Sequence, residues 1–392
     1  MRFAVLVVIA ACGSNSSKPP DSKNDAARAV DAVPIGDAPP NPFAACKLAG
    51  PTNGVGLGFP RIAARAPSTG TVRVGVVFVD FSDAVASKTP QQAFSIISPG
   101  AEQFYAGVSY GKMTLAFDPY FAWLRMSKPT SGYNWGSLTF ASHKAYIQEA
   151  IDLAGTNIDF SHDDAVLVIS NPDSMAFANG PTLTANPGDG YTASGKTFNN
   201  AVTSGGDLEY WGSYWFNHEF GHAMALADLY DYDMPTNPPT LHYVGDYSIM
   251  GNIAGPGREY LGWERWLLGW LDDTQVTCAP MTGSTTAVLT PIEATSGAKM
   301  MVAPLDASSA LVVELRTKTG YDTGLTSEGL LVYVVAPALG SGHGVVKVLP
   351  IDDSDLTKLG VLLQPTHALT YGGVTVTFSA SDAAGAHVTI SH

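Results

Sequence analysis

Two histidines four residues apart, inside an aromatic stretch, constrain this chain more than any other feature. The stretch runs Trp215-Phe216-Asn217-His218-Glu219-Phe220-Gly221-His222-Ala223-Met224. A helix places residues four apart on one face, so His218 and His222 aim at a common point. Trp215, Phe216, Phe220 and Met224 around them call for a buried helix, and buried imidazoles need partners. A zinc ion suits two such nitrogens, with Zn–N bonds of about 2.0–2.1 Å. Glu219 beside them is placed to reach a water on that ion rather than the ion itself, as a general base must be.

A zinc site of this kind needs a third protein ligand. Asp228 lies ten residues after His218, by 228 − 218, and this spacing resembles the third-ligand position of the metzincin pattern. There the helix ends in a sharp turn at a glycine seven residues after the first histidine. Here that position is Ala225, and a left-handed conformation costs a residue with a Cβ roughly 1–2 kcal/mol. The competing third ligands are His242, Glu259 and Glu264, the last two on a helix predicted over 258–271. Asp228 as a simple helix cap, or as part of an acidic run with Asp231 and Asp233, is the plainer alternative. That run suits a solvated loop better than a structural calcium site.

The N-terminus reads as an export signal. A short apolar run, Phe3 to Ala11, follows Met1-Arg2; it is too short to span a bilayer and suits a signal h-region. It ends in Ile9-Ala10-Ala11-Cys12, which resembles a bacterial lipobox, with Cys12 diacylated as the mature N-terminus. Two acyl chains anchor stably where one does not, and Gly13 after the cysteine leans towards the outer membrane. Residues 1–11 are therefore assigned as signal peptide. Residues 12–50, rich in Ser, Pro, Asp and Ala, are assigned as a disordered tether. In an exported chain the remaining cysteines, Cys46 and Cys278, read as one disulfide.

Between these ends, composition permits a large core, with 45% hydrophobic residues. A net charge of −14 excludes a nucleic-acid binder, which needs a basic face. Strands are predicted at 71–81, 113–117 and 164–170 and helices at 100–110 and 140–153, an α/β layer preceding the histidine helix. Residues 174–206 carry no period and are expected to be an irregular loop. From about 281, short Val/Leu/Thr strands recur at 285–292, 299–305, 309–316, 329–335, 345–350 and 372–378, the spacing of a β-sandwich.

Several stretches resemble the immune inhibitor A-type metallopeptidases, secreted bacterial relatives of the metzincins. HEFGH followed by ALADLYD (225–231) resembles that family's helix end, and Gly245 to Gly251 (GDYSIMG) its Met-turn. GWERWLLGWL (262–271), VGVVFVDFSD (74–83), FYAGVSYGKMTL (104–115) and LVVELRTKTGYDTGL (311–325) resemble further parts. The resemblance implies an α+β fold: a metzincin-like zinc peptidase domain over 51–280 and a C-terminal β-sandwich-like domain over 281–392. It implies one catalytic zinc on His218, His222 and Asp228, Met250 as the apolar floor beneath it, and Glu219 as general base. The expected protein is a zinc endopeptidase of protein or peptide substrates, lipid-anchored in the cell envelope. Tyr247 or Tyr260 is a fainter candidate for oxyanion stabilisation. The alternative function is a surface binding protein or adhesin whose zinc site is structural or inactive.

Overall fold

The computed structural model of the chain describes residues 42–174, 177–233, 239–350 and 362–392, and it is mixed α+β with several sheets. Cys12, the expected lipidation site, and residues 1–11 lie outside the described residues.

The N-terminal sheet is organised around β1 (Gly70–Asp80), a Val-rich strand buried from Val74 to its end. Successive side chains point to opposite faces, so this one strand feeds two cores. Val72, Val74, Val76 and Phe78 join one cluster; Val77, Val79 and Phe81 join another. Burial on both faces accounts for a nearly continuous apolar run rather than an alternating one. On one side β1 pairs in parallel with β2 (Met113–Arg125), and on the other with β3 (Ala165–Ser170). Helices α1 (Pro90–Phe94) and α2 (Gly100–Val108) contribute Ala93, Phe104 and Tyr105 to the first cluster. Helix α3 (Phe140–Ala154) covers the opposite face with Tyr146, Ile147 and Ala150.

The segment expected to be an irregular loop instead completes the sheet. It holds β4 (Thr182–Thr184), the hairpin strands β5 (Tyr191–Ala193) and β6 (Lys196–Phe198), and β7 (Asn200–Thr203). The order is β2-β1-β3-β7-β4, with β4 antiparallel at the edge. These strands span three or four residues, below the length at which alternation is readable in a sequence. Short α4 (Asp207–Trp211) then leads into α5 (Ser213–Ala223), the histidine helix.

After α6 (Pro239–His242), helix α7 covers Gly262–Leu267, much less than the predicted 258–271. Leu261 is extended, with its N–H donated to the Glu264 carboxylate at 2.8 Å, and Gly269 takes φ +77°. Each end is thus stopped by a local backbone commitment.

The C-terminal strands form two packed sheets, as the recurring short strands suggested. The first contains β8 (Val276–Cys278), β10 (Met300–Pro304), β11 (Ala310–Arg316), β12 (Gly329–Val335) and β13 (Val346–Val348). The second contains β9 (Ser284–Leu289), β14 (His367–Tyr371), β15 (Val374–Asp382) and β16 (Gly385–Ser391). Met301, Leu311, Val313 and Val332 face Val376, Phe378, Val388 and Ile390 between the sheets. The reverse face of the first sheet, including Val302, Val312, Leu331 and Tyr333, belongs to the same cluster as Phe220 and Trp263. Strand β11 is buried at every residue for this reason. β8 lies before the expected boundary at 281, yet it pairs with β10.

The expected tether over 12–50 needs correcting at its end. From residue 42 the chain is packed: Cys46 and Leu48 are buried, and Lys47 pairs with Asp273 at 2.7 Å. Cys46 is disulfide-bonded to Cys278 across 232 positions, as the cysteine count implied. Phe59, a little further on, packs edge-on against Trp263 and Trp266. Composition obscured this, because the anchoring residues sit a few positions past the Pro/Ser-rich stretch. Replacing both Cys46 and Cys278 by alanine is expected to cost about 2–5 kcal/mol, read as a lower denaturant midpoint; an unchanged midpoint would contradict a structural role for the disulfide.

Candidate metal centre

Helix α5 lays Trp215, Phe216, Phe220 and Ala223 into the core, with Phe216 and Phe220 stacked at 5.2 Å. Gly221 on its underside is required by close approach: a Cβ there would lie 2.7 Å from the Met250 sulfur and 3.0 Å from the Tyr260 hydroxyl. His218 and His222 stand side by side, ring centroids 4.9 Å apart. His218 Nδ1 lies 2.9 Å from the Ile249 carbonyl and His222 Nδ1 lies 2.8 Å from the Leu226 carbonyl. A carbonyl can only accept, so each Nδ1 carries the proton. In the neutral ring each Nε2 is then a bare lone pair, the state of a metal-binding histidine.

The chain leaves the helix through Ala225, whose φ is +103°. The turn that the sequence flagged for lack of a glycine is therefore made with a positive φ all the same. Leu226 N–H donates back to Gly221 O at 2.9 Å and Ala225 N–H to His222 O at 3.0 Å, closing the helix end. Gly56 from the N-terminal segment donates to Ala225 O at 2.7 Å, holding the turn from outside. The turn presents the Leu226 carbonyl to His222 and carries the chain to Asp228.

Asp228 comes to the histidine pair. Its Oδ1 lies 3.2 Å from His218 Nε2 and 3.3 Å from His222 Nε2. That oxygen is buried with no hydrogen-bond partner, whereas Oδ2 accepts from the Tyr232 hydroxyl. Ligands on tetrahedral bonds of roughly 2.0–2.1 Å lie about 3.3 Å from each other, so these separations match a shared cation. Without one, something positive must still offset the carboxylate. Burial would push His222 down, but Asp228 outweighs it and lifts it to about 9. Burial likewise raises Asp228, and the two histidines outweigh that, holding its carboxyl far below the ordinary range.

Glu219 is half-buried on the same helix, and the ligand atoms of His218, Glu219 and His222 all lie within 4.8 Å of one another. This group could hold a metal ion. Thr182 of the edge strand β4 reaches Glu219 with its hydroxyl, 2.8 Å from Oε2 and 2.7 Å from the backbone carbonyl. Met250 is fully buried against Gly221, and its carbonyl accepts from Leu229 N–H at 3.0 Å.

The competing ligands are engaged elsewhere. His242 pairs with the Asp231 carboxylate, Glu259 pairs with Arg265, and Glu264 holds the Leu261 N–H. Asp233 pairs with His343 at 2.8 Å, so both carboxylates weighed for calcium face histidines. Tyr260 is fully buried and donates to Asn217 O at 2.6 Å, bracing the helix from the core. Tyr247 is also buried, in the turn before Met250. Sequence reasoning missed Thr182, Tyr230, Tyr232 and Ser341. Tyr230 stacks on the His218 ring at 6.4 Å, and only its place just after Asp228 hinted at a role.

No protein-family model matches this chain, and a search of curated proteins finds no match.

Two outcomes follow from this geometry. Because a cation must displace the proton that His222 otherwise keeps up to about 9, zinc affinity is expected to fall about tenfold per pH unit below 9. Titration calorimetry in buffers of different ionisation enthalpy should register the released proton; a pH-independent affinity would contradict the arrangement. At Ala225, glycine would relieve about 1–2 kcal/mol of backbone strain. It would lose about 0.8 kcal/mol of methyl burial and about 0.4–1 kcal/mol through the looser unfolded chain. Ala225→Gly should therefore shift stability by less than about 1 kcal/mol, while Ala225→Val, β-branched at positive φ, should lose more than about 2 kcal/mol. Thermal unfolding of the two variants checks this ordering.

Proposed function

We propose that this protein is a zinc-dependent endopeptidase of metzincin-like architecture, similar to the immune inhibitor A-type enzymes. The observation that carries the reading is the approach of Asp228 Oδ1 to both His218 Nε2 and His222 Nε2 at tetrahedral-ligand separations, with Glu219 on the histidine helix. In this reading those three residues hold the zinc and Met250 forms the floor beneath them. A zinc ion there would polarise a substrate carbonyl and bring the pKa of a water molecule near neutrality. Glu219 would serve as the group that accepts a water proton and passes it to the leaving amine. The Thr182 hydroxyl holds the Glu219 carboxylate while it waits. Among the described residues strand β4 pairs only with β7, so its other edge beside Glu219 can receive an extended peptide by strand addition.

The export reading belongs to the same proposal. A lipid anchor at Cys12 would place the enzyme in the cell envelope, an environment in which the Cys46–Cys278 disulfide persists. Palmitate labelling that survives Cys12→Ser would remove the anchor from the proposal.

Casein digestion by wild type and Glu219→Gln, with zinc measured in each, tests the activity. The variant is expected to keep its zinc and lose about 10²–10⁴-fold in rate. A zinc-free wild type sinks the reading. So does an unchanged rate, and a wild type that holds zinc but is inert would favour the structural-site alternative.

A further inference from the structure

Asp228 is gripped from a direction that the histidine helix does not supply. The loop between β12 and β13, residues 336–345, meets it with both backbone and side chain. Asp228 N–H donates to the Ser341 hydroxyl oxygen at 2.8 Å, and that hydroxyl lies 3.3 Å from Asp228 Oδ2 as donor. Gly342 N–H donates to the Asp228 carbonyl at 3.0 Å, and Tyr232 N–H donates to the Gly342 carbonyl at 3.0 Å. Residues 341 and 342 thus engage the Asp228 amide, carbonyl and carboxylate together.

The loop is shaped for this contact. Gly342 has φ +74°, and a Cβ there would lie 2.2–2.4 Å from atoms of the Tyr232 ring. Only glycine lets the ring lie on the loop backbone while its hydroxyl reaches Asp228 Oδ2. The loop is braced at its base by Ala336 N–H to Val345 O, at 2.9 Å. It is tied outside by His343 to Asp233 at 2.8 Å. Oδ2 is therefore occupied by two hydroxyl donors, and Oδ1 is left as the one oxygen turned to the histidines.

We propose that this loop of the C-terminal β unit is part of the metal centre, with Ser341 a positioning residue that holds Asp228 as a ligand. The inference rests on the metal reading of His218, His222 and Asp228, and not on peptidase activity. A carboxylate free to rotate must be ordered when the cation arrives, and outer hydrogen bonds remove that cost beforehand. The β unit then has a defined role at the site, as a wall without which the third ligand is loose.

The test uses the full chain. Zinc affinity is measured by chelator competition for wild type, Ser341→Ala, Tyr232→Phe and the control Ser381→Ala, on a remote strand of the same β unit. Visible spectra of the Co2+-loaded proteins and melting of the metal-free proteins accompany it. Ser341→Ala and Tyr232→Phe are each expected to bind zinc about 10–100-fold more weakly with altered cobalt spectra. Their metal-free melting should stay close to wild type, and Ser381→Ala should match wild type throughout. Wild-type affinity and spectra in both site variants would overturn the proposal while leaving the metal reading standing. A wild type that binds neither zinc nor cobalt would overturn both.

Discussion

Three electron-rich atoms lie against each other in this protein, and most of its architecture serves to keep them there. Asp228 Oδ1 sits 3.2 Å from His218 Nε2 and 3.3 Å from His222 Nε2, and with both Nδ1 atoms donating to carbonyls the positive charge it needs comes from a proton on a ring, which His222 keeps up to about 9, or from a cation in its place. Such a contact is repulsive unless a positive charge occupies it, and burial strengthens the repulsion. The surrounding bonds make sense as the means of holding it. The Ile249 carbonyl comes from the turn before Met250, the Leu226 carbonyl from the turn at Ala225, and the Asp228 clamp from the loop after β12. Three separate backbone segments each orient one of the three atoms.

Ala225 shows how the balance is struck. Its positive φ is costly for a residue with a Cβ, yet the same methyl is fully buried and Gly56 bonds the neighbouring carbonyl. Strain at one residue is offset by burial and by an outside hydrogen bond, so the helix end can be made without glycine. The result is a turn that delivers both a carbonyl to His222 and a carboxylate to the pair.

What the sequence disclosed and what it hid divide along a physical line. Strand β1, helix α5 and strands β10, β11 and β12 were readable because each is a run long enough to show its period, whereas β8, β14 and β16 were not predicted. Asp228 could be singled out because the local order of the chain sets its spacing from His218, and Met250 only because GDYSIMG (245–251) resembles a Met-turn. The strands between 182 and 203 were hidden by their shortness, and helix α7 was overextended because its apolar pattern continues past Gly269. Thr182 and Ser341 were hidden for another reason: their roles exist only through contacts with Glu219 and Asp228, 37 and 113 positions away. The packing of residues 42–50 was hidden likewise, although the pairing of Cys46 with Cys278 already implied that this stretch is tied to the folded body.

The join between the two parts of the fold is polar as well as apolar. Beneath the site, Arg316 binds Asp322 through two nitrogens and Glu314 through a third contact, and it donates to the Tyr247 carbonyl at 3.0 Å. Arg265 pairs with Glu259 and donates to the Val108 and Tyr260 carbonyls. Burial pushes the Glu264 and Glu293 carboxyls up to about 8, which favours their neutral form. Buried ion pairs of this kind contribute little net stability compared with apolar packing, but removing one partner is costly. Their effect is to fix position: Arg316 on β11 holds the strand of the C-terminal sheet to the segment carrying Ile249 and Met250. With Ser341 holding Asp228 from the same sheet, the β unit reaches the histidine pair both from below and from the side. A histidine–carboxylate cluster positioned in this way depends on both parts of the fold, and the C-terminal sheets act as its scaffold.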